Sequence, residues 1–143
     1  MTNKGLIARA STTIKAPTAR VWDALTNPEM IKRYMFGTKA VSEWKEGSPI
    51  VWKGTWEGKT YEDKGVILKM EPQRLLQYSH YSPLSGAPDV PENYHTLTYE
   101  LSAKGDKTLV TLSQDNNPSE EERDHSQQMW ESLLASLKKV IEE

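Results

Sequence analysis

The sequence predicts an α+β fold in which a curved antiparallel sheet of about seven strands wraps around one long C-terminal helix, with two short helices after the first strand. Three observations predict it. Between Thr38 and Asp115 the chain runs in short apolar and alternating segments separated by turn chemistry, which reads as strands and hairpins. From Asn117 to about Ile141 it carries instead one apolar stripe at helical spacing. The charge divides at the same place: residues 1–114 hold 15 basic and 12 acidic groups, residues 115–143 hold 3 and 8. At 143 residues, with no internal repeat, low-complexity tract or Gly/Ser linker, residues 1–143 are expected to form a single domain.

The elements follow in order. Leu6 to Ile14 reads as the first strand and ends at Ala16-Pro17, where proline suits the first position of a helix. Val21, Trp22, Ala24 and Leu25 then recur at helical spacing, and Asn27-Pro28 breaks the segment before a second short helix with Met30, Ile31 and Tyr34. About six strands fit between the signals Glu46-Gly47-Ser48-Pro49, Glu57-Gly58-Lys59, Glu71-Pro72-Gln73 and Lys104-Gly105-Asp106-Lys107. Leu97 to Leu101 and Val110 to Gln114 alternate at every step, as in a sheet with one buried and one wet face. Ile50, Trp52, Gly54 and Trp56 share one face of an earlier strand. For the last helix, Asn117 is the expected N-cap and Pro118 the first helical residue, with Glu120 to Glu122 and Lys138-Lys139 complementing the helix dipole. Met129, Trp130, Leu133, Leu134, Leu137 and Ile141 form its stripe, while its first turns have almost no apolar group.

This order is the helix-grip arrangement. The run Ile14-x-Ala16-Pro17-x-x-x-Val21-Trp22-x-Ala24-Leu25-Thr26-x-Pro28-x-x-Ile31 resembles the opening motif of the SRPBCC superfamily, which includes START and birch-pollen-allergen-like proteins. It is most similar to the branch named for activators of a heat-shock-protein ATPase, the activator of heat shock protein ATPase homologues. Gly47, Gly65 with Glu71-Pro72, the strand Asn93 to Leu101, and Trp130 with Leu134 and Leu137 extend the resemblance over nearly the whole chain. It implies the helix-grip fold, but the superfamily mixes lipid carriers, receptors, cyclases and co-chaperones, so it does not choose among functions. Many members resemble one another in a Gly-Trp pair on the last helix, where this chain has Met129-Trp130. A bulky thioether there partly fills whatever space lies between helix and sheet.

Composition excludes several classes. A net charge of −2 lacks the basic surplus of a nucleic-acid footprint. With no cysteine there is no disulfide framework, thiolate nucleophile or Cys-based metal site. The start MTNKGLIARAS has no leader-like apolar run, and no stretch is long and apolar enough to span a membrane, so a cytoplasmic protein is expected. His80, His95 and His125 show none of the short spacings of a metal site, and there is no nucleophile elbow or nucleotide-binding glycine loop, so no metal, cofactor or catalytic residue is assigned. Glu62-Asp63 reads as flanking a hairpin, and Asp115 with Asn116-Asn117 as turn and cap chemistry.

A sheet curled around a helix whose first half is polar leaves space that neither element fills. Five Trp and six Tyr beside one Phe make the aromatic surface mostly of the kind that carries a polar atom. The inward candidates are Trp52, Trp56, Tyr78, His80, Tyr99, Gln114, Met129, Trp130 and Leu133. Either they line a ligand-sized cavity for a small hydrophobic or aromatic molecule, or they pack together as core. By alternation His95 shares the inward face of Leu97 and Tyr99, and His125 lies at the cavity mouth or in solvent. The proline-rich loop His80 to Glu92 is either a lid or a passive crossing. Ligand binding without catalysis leads; a co-chaperone-like protein with a protein partner or homodimer, and a cyclase- or hydrolase-type enzyme, are its alternatives. Chelator should leave the melting temperature unchanged, which differential scanning fluorimetry with and without EDTA checks; a drop of several degrees would contradict the metal-free reading.

Overall fold

The computed structural model describes residues 6–35, 37–56, 58–83 and 86–143. Strand β1 (Leu6–Ile14) leads into helices α1 (Thr18–Thr26) and α2 (Pro28–Tyr34). Strands β2 (Lys39–Ser42), β3 (Pro49–Trp56), β4 (Lys59–Glu71) and β5 (Leu75–His80) follow. A 3-10 turn at Pro91–Asn93 precedes β6 (His95–Lys104), β7 (Lys107–Asn117) and the long helix α3 (Glu120–Glu142). The seven strands form one curved antiparallel sheet in the order β1-β7-β6-β5-β4-β3-β2. Strands β1 and β2 are therefore its two edges, and α1 and α2 carry the chain from one edge to the other. Between the helices, the Asn27 side chain accepts from the Glu29 amide at 3.0 Å and Pro28 begins α2, so one dipeptide ends the first helix and starts the second.

The start of α3 differs from the sequence expectation. Asn117 is the last residue of β7, paired with Leu6, and is almost fully buried. Its side-chain amide donates to the carbonyls of Leu6 at 2.9 Å and Gln114 at 3.1 Å, and its oxygen accepts from Ser126 at 3.1 Å. An asparagine committed to two sheet carbonyls and to Ser126 of α3 is not free to cap. Ser119 caps instead, its Oγ accepting from the Glu122 amide at 3.2 Å.

Where α3 rests decides what the fold can hold. Leu133, Leu134, Leu137, Val140 and Ile141 are buried, whereas the turns before them are exposed or half-buried. The helix packs chiefly against β1 and to a smaller extent against β7 and α2. Polar ties fix its C-terminal half: Lys138 Nζ donates to the Thr13 carbonyl at 2.7 Å, Ser136 Oγ to the Tyr34 carbonyl at 3.1 Å, and the Lys15 amide to Glu142 at 2.8 Å. Trp130, which the sequence places in the apolar stripe, is half-buried at the edge of this contact, because the dry stripe begins only at Leu133. Among the described residues no helix is long and apolar enough to cross a membrane.

Leu134 and Leu137 are essentially inaccessible. Replacing either by Ala should cost about 2–5 kcal/mol in urea unfolding, the range for truncating a buried Leu. Losses below ~0.5 kcal/mol at both, as on a surface, would show that the helix does not hold the sheet.

Candidate functional site

Strand register brings the inward side chains together. Trp52 stands opposite Asp63 and Gly54 opposite Tyr61 across β3 and β4. Ile67, Tyr78, Leu97 and Gln114 form a row across β4 to β7, and Leu76, Tyr99 and Leu112 the next. Directly opposed residues share a face, so these rows floor the concave side. Because α3 lies toward β1, the floor over β3 to β6 is left partly uncovered. A cavity of about 360 Å³ occupies that space. Its floor is Trp52, Tyr61, Asp63, Tyr78, His80, Leu97 and Tyr99, its α2 side Met35 and Thr38, and its α3 side Met129 and Trp130.

Trp52 packs on Tyr78 with ring centroids 5.0 Å apart and on His80 at 5.1 Å, and Tyr78 on Tyr99 at 6.3 Å. This cluster is close-packed on its sheet side and still leaves its upper side open.

The polar atoms of the wall are mostly paired. Tyr61 Oη donates to Thr38 Oγ1 at 2.6 Å, and Thr38 Oγ1 donates to the Met35 carbonyl at 2.8 Å. Gly54 makes this relay possible, since a Cβ there would stand 2.4 Å from the Tyr61 hydroxyl and 2.6 Å from its ring. Trp130 Nε1 donates to Gln114 Oε1, which fixes the indole as a wall. His80 Nε2 hydrogen-bonds Asp63 Oδ2 at 2.9 Å, with side-chain exposures of 24% and 16%. The other oxygen, Asp63 Oδ1, is buried and has no hydrogen-bond partner among the described residues. Gly65 allows the approach of β5: a Cβ on it would lie 1.7 Å from the Ser79 carbonyl oxygen, next to His80.

Burial raises the hydroxyls of Tyr99, Tyr78 and Tyr34. It pushes the Tyr99 hydroxyl up to about 12, with its hydrogen bond to Tyr78 acting in the opposite sense. The Tyr78 and Tyr34 hydroxyls are held well above the usual phenol value, chiefly by burial and further by Tyr99. All three are neutral near pH 7 and cannot supply a phenolate base.

Of the residues chosen from sequence, Trp52, Tyr78, His80, Tyr99, Met129 and Trp130 line the cavity. Gln114 does not: it is buried and accepts the Trp130 indole. Leu133 faces the dry core, one turn beyond the cavity. Trp56 ends β3, and its side chain lies outside the described residues. Glu62-Asp63 is mid-strand in β4, not beside the hairpin turn, so Asp63 points where Trp52 does. His95 pairs with His80 but is absent from the cavity wall; its Nδ1 meets the Asp115 carbonyl at 2.9 Å. Asp115 belongs to β7, where its carboxylate accepts from the Thr96 amide at 2.6 Å, rather than to a helix cap. His125 is exposed.

The described residues of the loop after β5 are strapped outside the cavity. Tyr81 stacks on Tyr94 at 5.2 Å and donates to the Ala87 carbonyl at 2.5 Å, while Asp89 pairs with Lys64 and accepts from Tyr94 at 2.6 Å. None of its described residues lines the cavity, and Leu84 and Ser85 lie outside the described residues. Sequence reasoning missed Met35, Thr38, Tyr61, Asp63 and Leu97. A two-residue turn at Glu57-Gly58 would have set Trp52 opposite Asp63 and so exposed two of them. Among the described residues no group of three or more His, Asp or Glu is placed to hold a metal ion.

Comparison with known proteins adds the lineage. Residues 15–142 match the family model described as activator of Hsp90 ATPase homolog 1-like protein. No curated protein matches the chain. The solution structure of ChR145 from Cytophaga hutchinsonii is 55% identical, with a TM-score of 0.86 over 99% of this chain and 97% of that one. The crystal structure of CalU16 from Micromonospora echinospora is 24% identical, with a TM-score of 0.73 over 99% and 87%. The solution structure of the Aha1 dimer from Colwellia psychrerythraea is 20% identical, with a TM-score of 0.73 over 95% and 96%. The last two share the fold.

The raised phenols carry a stability consequence. Above the unfolded value of 10.0 the unfolded chain gives up phenolic protons that Tyr99 keeps until about 12, so the native state binds more protons and loses stability as pH rises. Urea midpoints should be flat below pH 10 and fall from there toward 12 on this account. Tyrosinate absorbance that develops fully near pH 10 in the folded protein would contradict the burial of these hydroxyls.

Proposed function

We propose, for a chain that belongs to the activator of Hsp90 ATPase homolog 1-like family, that it is a cytoplasmic single-domain protein that binds a small hydrophobic or aromatic molecule between its sheet and C-terminal helix. The observation that carries this reading is the cavity of about 360 Å³ floored by Trp52, Tyr78 and Tyr99. That volume is within the ~300–1,000 Å³ typical of ligand pockets, which combine apolar walls with a few placed polar groups. Aromatic rings with a hydroxyl, indole or imidazole edge suit that combination. Met129, 48% exposed at the rim, is the adjustable part of the entrance.

Two other readings have some support. The His80–Asp63 hydrogen bond inside the cavity is the arrangement a general acid–base pair would need, which favours a cyclase- or hydrolase-type reaction second. The dimeric state of the Colwellia neighbour supports a second copy of this chain as a protein partner.

A neutral fluorescent probe such as N-phenyl-1-naphthylamine should bind saturably at micromolar concentration, quench tryptophan emission and raise the melting temperature. Met129→Gly widens the entrance and should tighten binding of this probe, while costing about 1 kcal/mol in helix propensity. A broad ligand screen without saturable binding to either form would sink the carrier reading and favour the protein-partner one.

A further inference from the structure

We infer that Asp63, oriented by His80, is a hydrogen-bond acceptor anchor in the cavity wall, and that the ligand is an aromatic or alicyclic molecule of about a dozen non-hydrogen atoms bearing an O–H or N–H donor. The inference rests on the ligand-binding reading above and names the class of ligand for that site. The size follows from the cavity: about 360 Å³ corresponds to about a dozen atoms at the ~30 Å³ that a water molecule occupies in the liquid.

The donor requirement follows from the polar inventory of the wall. Tyr61 and Thr38 pass their protons along a closed relay to the Met35 carbonyl, and the Trp130 indole is spent on Gln114. Tyr78 and Tyr99 are buried phenols coupled to each other. Asp63 is different. A carboxylate offers about four acceptor positions; His80 takes one on Oδ2, and Oδ1 is buried with no partner among the described residues. A buried acceptor without a donor is costly, more so when charged, so a ligand that brings a donor gains on both counts. Oδ1 has no accessible surface as it stands, so a donor reaches it when the soft terminal carboxylate torsion turns it toward the cavity.

A purely structural tie between β4 and β5 explains this arrangement less well. The neighbouring Glu62 faces the other way and makes an exposed ion pair with Lys53 at 3.9 Å, which is what a strand carboxylate does when it serves the surface. Asp63 instead lies on the cavity face, with Trp52 packed against its imidazole partner. Gly65 is what lets the Ser79 carbonyl cross close enough for His80 to reach it. The backbone is shaped to hold a carboxylate inside an otherwise apolar cavity.

The test is a matched pair, 2-naphthol and 2-methylnaphthalene, which differ by a hydroxyl in place of a methyl. Both are titrated by tryptophan fluorescence into the wild type, Asp63→Asn and Asp63→Leu. An unanchored apolar cavity would prefer the methyl compound, because burying the hydroxyl unpaired is unfavourable. The anchor reverses the order: the wild type should bind 2-naphthol roughly tenfold more tightly, as a charge-assisted hydrogen bond allows. Asp63→Leu should lose that preference and retain 2-methylnaphthalene; Asp63→Asn, which keeps the shape, should narrow it. Equal affinities in the wild type, or a preference unchanged in both variants, would overturn the anchor and leave the cavity reading standing. Binding of neither compound to the wild type would overturn both.

Discussion

The point on α3 where the apolar stripe begins is the constraint on which the rest of the molecule depends. From Leu133 to Ile141 the helix offers five buried side chains to β1, β7 and α2, and before Leu133 it offers almost none. Each fully buried Leu or Ile contributes on the order of 2 kcal/mol by area alone. The C-terminal half is therefore where the helix is held, and the N-terminal half is carried along as a rigid extension of it. That extension overhangs strands β3 to β6 without packing into them. The cavity is the geometric remainder of a helix that grips with one half only.

Such a space collapses unless its walls are stiff, and stiffness here comes from polar connections rather than from further apolar burial. The indole of Trp130 is held by Gln114, a buried side chain from the sheet floor. The Tyr61 ring lies across Gly54 and closes onto Thr38, tying the β3–β4 hairpin to the end of α2. Each connection is worth only about 1 kcal/mol net. Their role is to leave each wall residue one orientation, so that the aromatic floor stays open instead of refilling. Two glycines, Gly54 and Gly65, are required at the closest of these approaches, and a side chain at either would displace a wall or the neighbouring strand.

The sequence made the architecture legible because every element is encoded locally. Asn27-Pro28 is a helix break by its own chemistry, Leu97 to Leu101 and Val110 to Gln114 alternate at every step, and the α3 stripe is a helical period. Part of the site was legible for the same reason: Trp52, Tyr78 and Tyr99 follow from strand parity once the concave face is identified. What stayed hidden depends on pairing between distant segments. Asp63 looked like a surface carboxylate beside a hairpin, and only its register opposite Trp52 and its reach to His80, 17 residues on, make it part of the cavity. Met35 and Thr38 belong to the wall because the end of α2 lies against β2, which no local pattern announces. Asn117 misled in the opposite direction, since its local chemistry is that of a cap, yet the ladder to Leu6 and two carbonyls claim it.

Family membership accounts for the frame and leaves the contents free. The Colwellia and Micromonospora structures keep the same chain path at 20% and 24% identity, so the frame tolerates replacement of most side chains. What has to persist for the frame is the grip: a C-terminal stripe on α3, apolar rows on the sheet, and a break between the two short helices. The cavity side chains of β3, β4 and β5 lie beyond the reach of that stripe, and changes there leave the helix contact intact. On the proposed ligand-binding reading, the binding side chains lie on the part of the concave face that the helix stripe does not cover. On that reading the entrance at Met129 can vary separately from Asp63 and Trp52, which are joined through His80. Changes at the entrance leave the core untouched, whereas changes at Trp52, Tyr78 or Tyr99 reach into it.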